Sequence, residues 1–148
     1  MVYWLRFIPF FYLVLSLVFM LLDTRHNALT KEVIGCAMRV HSALGSGFPE
    51  NIYHRSLGLE LARTGLAFEQ EIHLPVFYLD TQVGARRVDY LVEKCVLVEL
   101  KALTELTPLN YSQIINYLKA YRLEVGLLIN FGEQSLRFKC FVQNQSRI

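Results

Sequence analysis

The sequence predicts a layered domain of the α/β or α+β class, with the element order helix, helix, three strands, helix, two strands. Two observations carry that expectation. Apolar residues recur at three-and-four spacing up to residue 64, alternate from residue 68, return to helical spacing from residue 110 and alternate again after residue 124. The length, 148 residues, is that of one ordinary domain, able to bury a core without disulfide staples. There is no internal repeat and no low-complexity segment.

The first helix is expected from Thr30, where Val33, Cys36, Ala37, Val40, Ala43 and Leu44 form one apolar stripe that Gly45-Ser46-Gly47 stops. Pro49 then stands where a helix can start. Glu50 suits the positive end of its dipole, Tyr53, Leu57, Glu60, Leu61 and Thr64 share one side, and Gly65 ends it. Residues 68–79 (FEQEIHLPVFYL) are extended, with Pro75 marking an edge or a bulge. Residues 80–84 are read as a turn. Residues 86–92 and 95–102 form an antiparallel hairpin closed around Glu93-Lys94. A third helix is expected over 110–122, burying Ile114, Tyr117, Leu118 and Tyr121, with Gln113 on or beside that face. The strands 125–130 and 135–142 complete the domain, with Gly132 in the turn between them.

Fifteen Lys and Arg against thirteen Asp and Glu leave a net charge of +2, so no global basic field is available and any site for a polyanion is local. Cys36, Cys95 and Cys140 are widely spaced, without a CxxC pair, and read as buried thiols in a reducing, cytoplasmic compartment. The opening run MVYWLRFIPFFYLVLSLVFMLL carries Arg6 as its only charge. It is expected to lie apart from the domain, as a membrane anchor through residues 1–22 or as a product of a start site placed upstream of the true one near Met20. Pro9 interrupts it, and DTRHNALT after it offers no small-x-small cleavage site. The expected organisation is a hydrophobic extension over 1–25, a domain over 29–142 and a tail over 143–148.

The chemistry concentrates in DYLVEKCVLVELK at 89–101, where charges sit inside apolar runs. An ionised carboxylate among Val and Leu costs several kcal/mol unless a partner compensates. Alternation puts Leu97, Glu99 and Lys101 on one strand face, and a turn centred near Lys94 puts Asp89 opposite Glu99, with Cβ atoms about 5 Å apart. Like charges so placed call for a cation. A divalent metal bound by oxygen ligands answers that need, and an internal salt bridge of Lys101 with Glu99 or Asp89 is the alternative. His41, near the glycine turn, is expected to hydrogen-bond at its helix end. His26, His54 and His73 show no ligand spacing, and Tyr53 reads as a half-buried packing residue. Arg86 and Arg87 point to opposite faces, so at most one can reach a phosphate near the metal.

Asp89 followed by Glu99-x-Lys101 in an apolar strand resembles the PD-(D/E)xK signature of the restriction-endonuclease-like nucleases. HSALGSGFPENIY at 41–53 is similar to the hallmark of the GxxExxY proteins, a bacterial and archaeal group of that superfamily, with Gly47, Glu50 and Tyr53 at the namesake positions. The likeness continues through EIHLP at 71–75 and QIINYL at 113–118. Val88-Asp89 stands in place of the proline-aspartate pair. The resemblance implies a central mixed sheet flanked by helices, and metal-dependent hydrolysis of nucleic-acid phosphodiesters with Mg²⁺ or Mn²⁺. It implies that Asp89, Glu99 and Glu50 hold the metal, that Lys101 positions the attacking water or stabilises phosphate charge, and that Gln113 orients a water or substrate oxygen. A non-catalytic nucleic-acid-binding or assembly module on the same fold, free or tethered to a membrane, is the alternative.

Overall fold

The computed structural model describes the backbone of residues 10–143 and the side chains of residues 26–143. In chain order the elements are α1 (Phe10–Leu44), α2 (Glu50–Ala62), β1 (Phe68–Tyr78), β2 (Thr81–Val92), β3 (Val96–Lys101), α3 (Pro108–Tyr121), β4 (Val125–Asn130) and β5 (Arg137–Val142). This is the expected order. The strands form one mixed sheet in sequence order, antiparallel at every junction except β3–β4, which is parallel and crosses over through α3.

Two expected boundaries move. The helix expected from Thr30 begins at Phe10 and runs unbroken to Leu44, straight through the expected edge of the domain. Pro9 directly precedes it, and from Phe10 to Leu44 the chain contains no proline and a single glycine, Gly35, so nothing local stops it. Residues 1–9 of the expected extension lie outside the described residues. Among the described residues no helix is long and apolar enough to cross a membrane. The second change is at 81–84, expected within a turn over 80–84. Here Leu79 and Asp80 alone turn the chain, with φ of 46° and 59°, and β2 begins at Thr81. Pro75 sits on the edge strand β1, one residue before the register shift between Val76 and Phe77.

Both faces of the sheet are packed. Val96, Val98 and Leu100 of β3 and Leu127 and Ile129 of β4 meet Val33, Cys36, Val40, Tyr53, Leu57 and Leu61 of α1 and α2. Leu97 and Leu128 turn the other way, onto Ile114, Tyr117 and Leu118 of α3. Each such buried side chain contributes about 2 kcal/mol by transfer from water. Gly126 lets α3 come close, because a Cβ there would lie 3.0 Å from Ile114. Pro108 opens α3, the Thr107 amide donates to Asn110 Oδ1 at 2.8 Å, and Arg122 closes the helix in the left-handed conformation. The expectation of three buried thiols is corrected. Cys36 is buried and Cys95 half-buried, but Cys140 is exposed, on β5 at the sheet edge.

Candidate active site

The site forms where the sheet opens. The β2–β3 ladder pairs only Tyr90 with Val98, Leu91 with Leu97 and Val92 with Val96, and β2 then departs from β3. Along β1 and β2 the side chains also change sides: Phe68, Tyr90 and Val92 pack toward α1 and α2, while Ile72, Leu74 and Val88 pack toward α3. Val88 and Tyr90 are two apart and would share a face in a regular strand. The break falls at Glu71, whose φ is 53°, in the gap between the Gln70–Tyr90 and Ile72–Val88 pairs. Asp89 lies in that gap. The hairpin has the expected register, since Tyr90 faces Val98, but the backbone ladder ends one step before Asp89 and Glu99, and Asp89 Oδ2 accepts the Leu100 amide at 2.7 Å in place of a backbone carbonyl.

All five expected site residues are nevertheless brought together. Glu99, only 5% exposed, receives Lys101 Nζ at 2.9 Å and Gln113 Nε2 at 3.3 Å, both on Oε1. Gln113 also donates to the Tyr117 hydroxyl at 2.7 Å, so α3 holds it in place. Glu50, at the solvent-facing start of α2, lies within electrostatic reach of Lys101, Asp89, His54 and the Ala102 amide. Burial and the Asp89 charge raise its pKa, and the other three oppose the rise.

Tyr53 is fully buried rather than half-buried. It stacks on Phe131 at 4.7 Å, donates to the Gly45 carbonyl at 2.7 Å and accepts the Phe48 amide at 3.2 Å. It thereby pins the loop that delivers Glu50, a loop that turns on left-handed Gly45 and Gly47. His41 binds the Glu133 carbonyl at 3.0 Å, as expected of a helix-end histidine.

His54 is the residue that sequence reasoning missed. Its Nε2 lies 4.0 Å from Asp89 Oδ1, buried and without a hydrogen-bond partner. The ring stacks on Tyr90 at 4.6 Å, and the Tyr90 hydroxyl donates to the His54 carbonyl at 2.5 Å. Gly58 makes room for that hydroxyl, since a Cβ there would stand 2.9 Å from it. The available signal was the four-residue interval from Glu50, which puts both side chains on one face of α2.

Among the described residues no three His, Cys, Asp or Glu side chains already stand as a metal-holding group. The donor chemistry nonetheless suits a hard divalent cation. Carboxylates converge from α2, β2 and β3, and Glu99 Oε2 is a buried carboxylate oxygen without any hydrogen-bond partner.

The same geometry makes stability depend on pH. Burial and then Asp89 push Glu99 up to about 7, with Lys101 pulling against them. As pH rises from the ordinary value of 4.5, the unfolded chain gives up this proton while the folded chain keeps it to about 7. Stability therefore falls across that window and levels above it. Glu50 acts in the same direction, whereas the raised pKa of Lys101 matters only above 10.5. In chelator, wild type is expected to lose on the order of 3 kcal/mol across this window relative to Glu99→Gln. Denaturant titrations at several pH values check it, and parallel curves would contradict it.

A family model described as the PD-(D/E)XK nuclease superfamily matches residues 27–141. The chain belongs to the PD-(D/E)XK nuclease superfamily. Asp89 and the Glu99-x-Lys101 pair of this superfamily member lie inside the matched region, as do Glu50, His54 and Gln113. The mixed sheet with helices on both faces is the restriction-endonuclease-like architecture. The crystal structure of SSO0001 is similar at 18% identity and a TM-score of 0.49, over 83% of this chain and 62% of that one. This chain thus spans less than two thirds of that protein's length. Among curated proteins nothing matches it.

Proposed function

We propose that this protein is a metal-dependent nuclease of the GxxExxY group that hydrolyses phosphodiester bonds in nucleic acid. The observation that carries the reading is Glu99: a buried carboxylate whose Oε2 has no partner, beside Asp89 and Glu50, with Lys101 held on its other oxygen. A salt bridge to Lys101 alone leaves that oxygen unanswered. Mg²⁺ or Mn²⁺ held by Asp89 and Glu99, with Glu50 alongside, would lower the pKa of a water and offset charge on the phosphate oxygens.

The chain's own residues supply the rest. Burial acts to lower the Lys101 ammonium, but Glu99, Glu50 and Asp89 outweigh it and hold the group charged, as a compact donor for a water or a phosphate oxygen. Gln113 fixes Glu99 Oε1 from α3. Asp89 is anchored through Oδ2 on the Leu100 amide, which leaves Oδ1 facing His54 and the site. The proposed domain spans 29–142, between the apolar extension 1–25 and the tail 143–148.

Calorimetry with Mg²⁺ and Mn²⁺, beside cleavage assays on single- and double-stranded DNA and RNA, tests the reading. Asp89→Asn and Glu99→Gln should stay folded, since each nearly preserves shape, and should lose at least tenfold in metal affinity together with cleavage. Unchanged affinity in both variants would return the charges to a structural salt bridge. A wild type that binds nucleic acid but cleaves none of the four substrates would favour the non-catalytic module.

A further inference from the structure

We propose that the groove between β2 and α3 holds one strand of nucleic acid beside the site, and that Arg86 grips its phosphate. The inference rests on the nucleic-acid reading above and specifies how the strand is held. The groove is a cavity of about 350 Å³ lined by Arg86, Leu109, Ser112, Gln113, Asn116 and Tyr117. Gln113 joins it to the site, because the amide that lines the groove also donates to Glu99 Oε1. A strand lying in the groove therefore runs past the carboxylate cluster.

Charge selects the occupant. Arg39 and Arg63 are held by Glu60, Arg87 by Glu71 and Arg137 by Glu133. Arg86 has no acidic side chain within ion-pair distance among the described residues, and no acid lines the groove. Arg87 turns to the other face of β2, so of the two neighbouring arginines only Arg86 looks along the groove. An exposed guanidinium has two fixed donors to offer a phosphate, and Ser112 and Asn116, one helical turn apart on α3, add neutral ones. Leu109, 77% exposed at the groove, gives a sugar or base an apolar surface to cover.

The test is binding without turnover. Fluorescence anisotropy with short single-stranded DNA and RNA oligonucleotides is run in chelator, over a salt series, on wild type, Arg86→Ala, Arg86→Lys and Arg87→Ala. Wild type should bind at least one of the two probes. Arg86→Ala should weaken that binding about tenfold and flatten the salt dependence by about 0.7 in log–log slope, the loss of one phosphate contact on a single strand. Arg86→Lys should keep most of the affinity, and Arg87→Ala should match wild type. Absence of binding by wild type, an unaltered slope in Arg86→Ala, or equal losses in both alanine variants would overturn the groove. The nuclease reading fails separately: binding through Arg86 without cleavage sinks the enzyme and keeps the groove, while full cleavage by Arg86→Ala does the reverse.

Discussion

Lys101→Met is expected to slow single-turnover cleavage about a hundredfold or more while leaving metal affinity within a fewfold of wild type. Methionine keeps much of the stem's packing in a half-buried position and removes the ammonium, so the metal-holding carboxylates stay while the donor to water and phosphate goes. A lysine that only balances charge gives the opposite pattern. Its loss would then lower the melting temperature sharply in chelator, and a divalent ion would restore both stability and rate. Rates and melts measured with and without Mn²⁺ separate the two, and a variant that cleaves at the wild-type rate would remove Lys101 from the chemistry.

Gly132→Ala is expected to destabilise the domain by about 3 kcal/mol, a fall in Tm of roughly 10 °C. A Cβ at this position would lie 2.3 Å from the Leu103 carbonyl oxygen and 2.5 Å from its nitrogen, so the conflict is with backbone. That backbone cannot easily retreat. Buried Asn130 accepts the Leu103 amide at 2.9 Å and donates to the Leu103 carbonyl at 2.8 Å, and the Phe131 amide donates to the Lys101 carbonyl at 2.8 Å. Ala102, whose amide lies within electrostatic reach of Glu50, is inside this clasp, so metal binding should weaken with the fold. Melts and calorimetry on the variant check both effects, and a melting temperature within a degree or two of wild type would contradict the clasp.

What the sequence made legible was whatever depends on local pattern. VGLLIN read as a strand with the observed bounds because its first five residues are apolar or glycine, and in the structure all six residues, Asn130 included, are buried. Glu99 and Lys101 could be placed on one face because β3 is regular, and their contact follows from alternation alone. The places that misled depend on partners distant in the chain. TQVG looks like a turn, yet it is held extended by pairing with β1 over Val76, Phe77 and Tyr78. The reversal of faces at Glu71, opposite Asp89, is a backbone state that nothing in EQEIH announces. His54 joins the site because Tyr90, thirty-six residues away, fixes its ring. Gly132 was legible as a turn residue, but the reason for it is Leu103 on another connection rather than its own dihedral angles.

The parallel pairing of β3 with β4 has a consequence for the order in which this chain assembles. β1–β2, β2–β3 and β4–β5 join neighbours through short links, so these contacts close early and at small entropic cost. β3 meets β4 only after α3 has formed and crossed over, which makes that junction the most non-local in the sheet and the natural late step. Glu99 and Lys101 lie on β3, and the clasp that steadies Ala102 comes from the far end of β4. During synthesis the residues that gather charge are therefore all made before the strand that locks them is available. A growing chain is therefore expected to carry its acids and lysine loosely until Asn130 emerges, so that the site takes its final shape only when the domain is nearly whole.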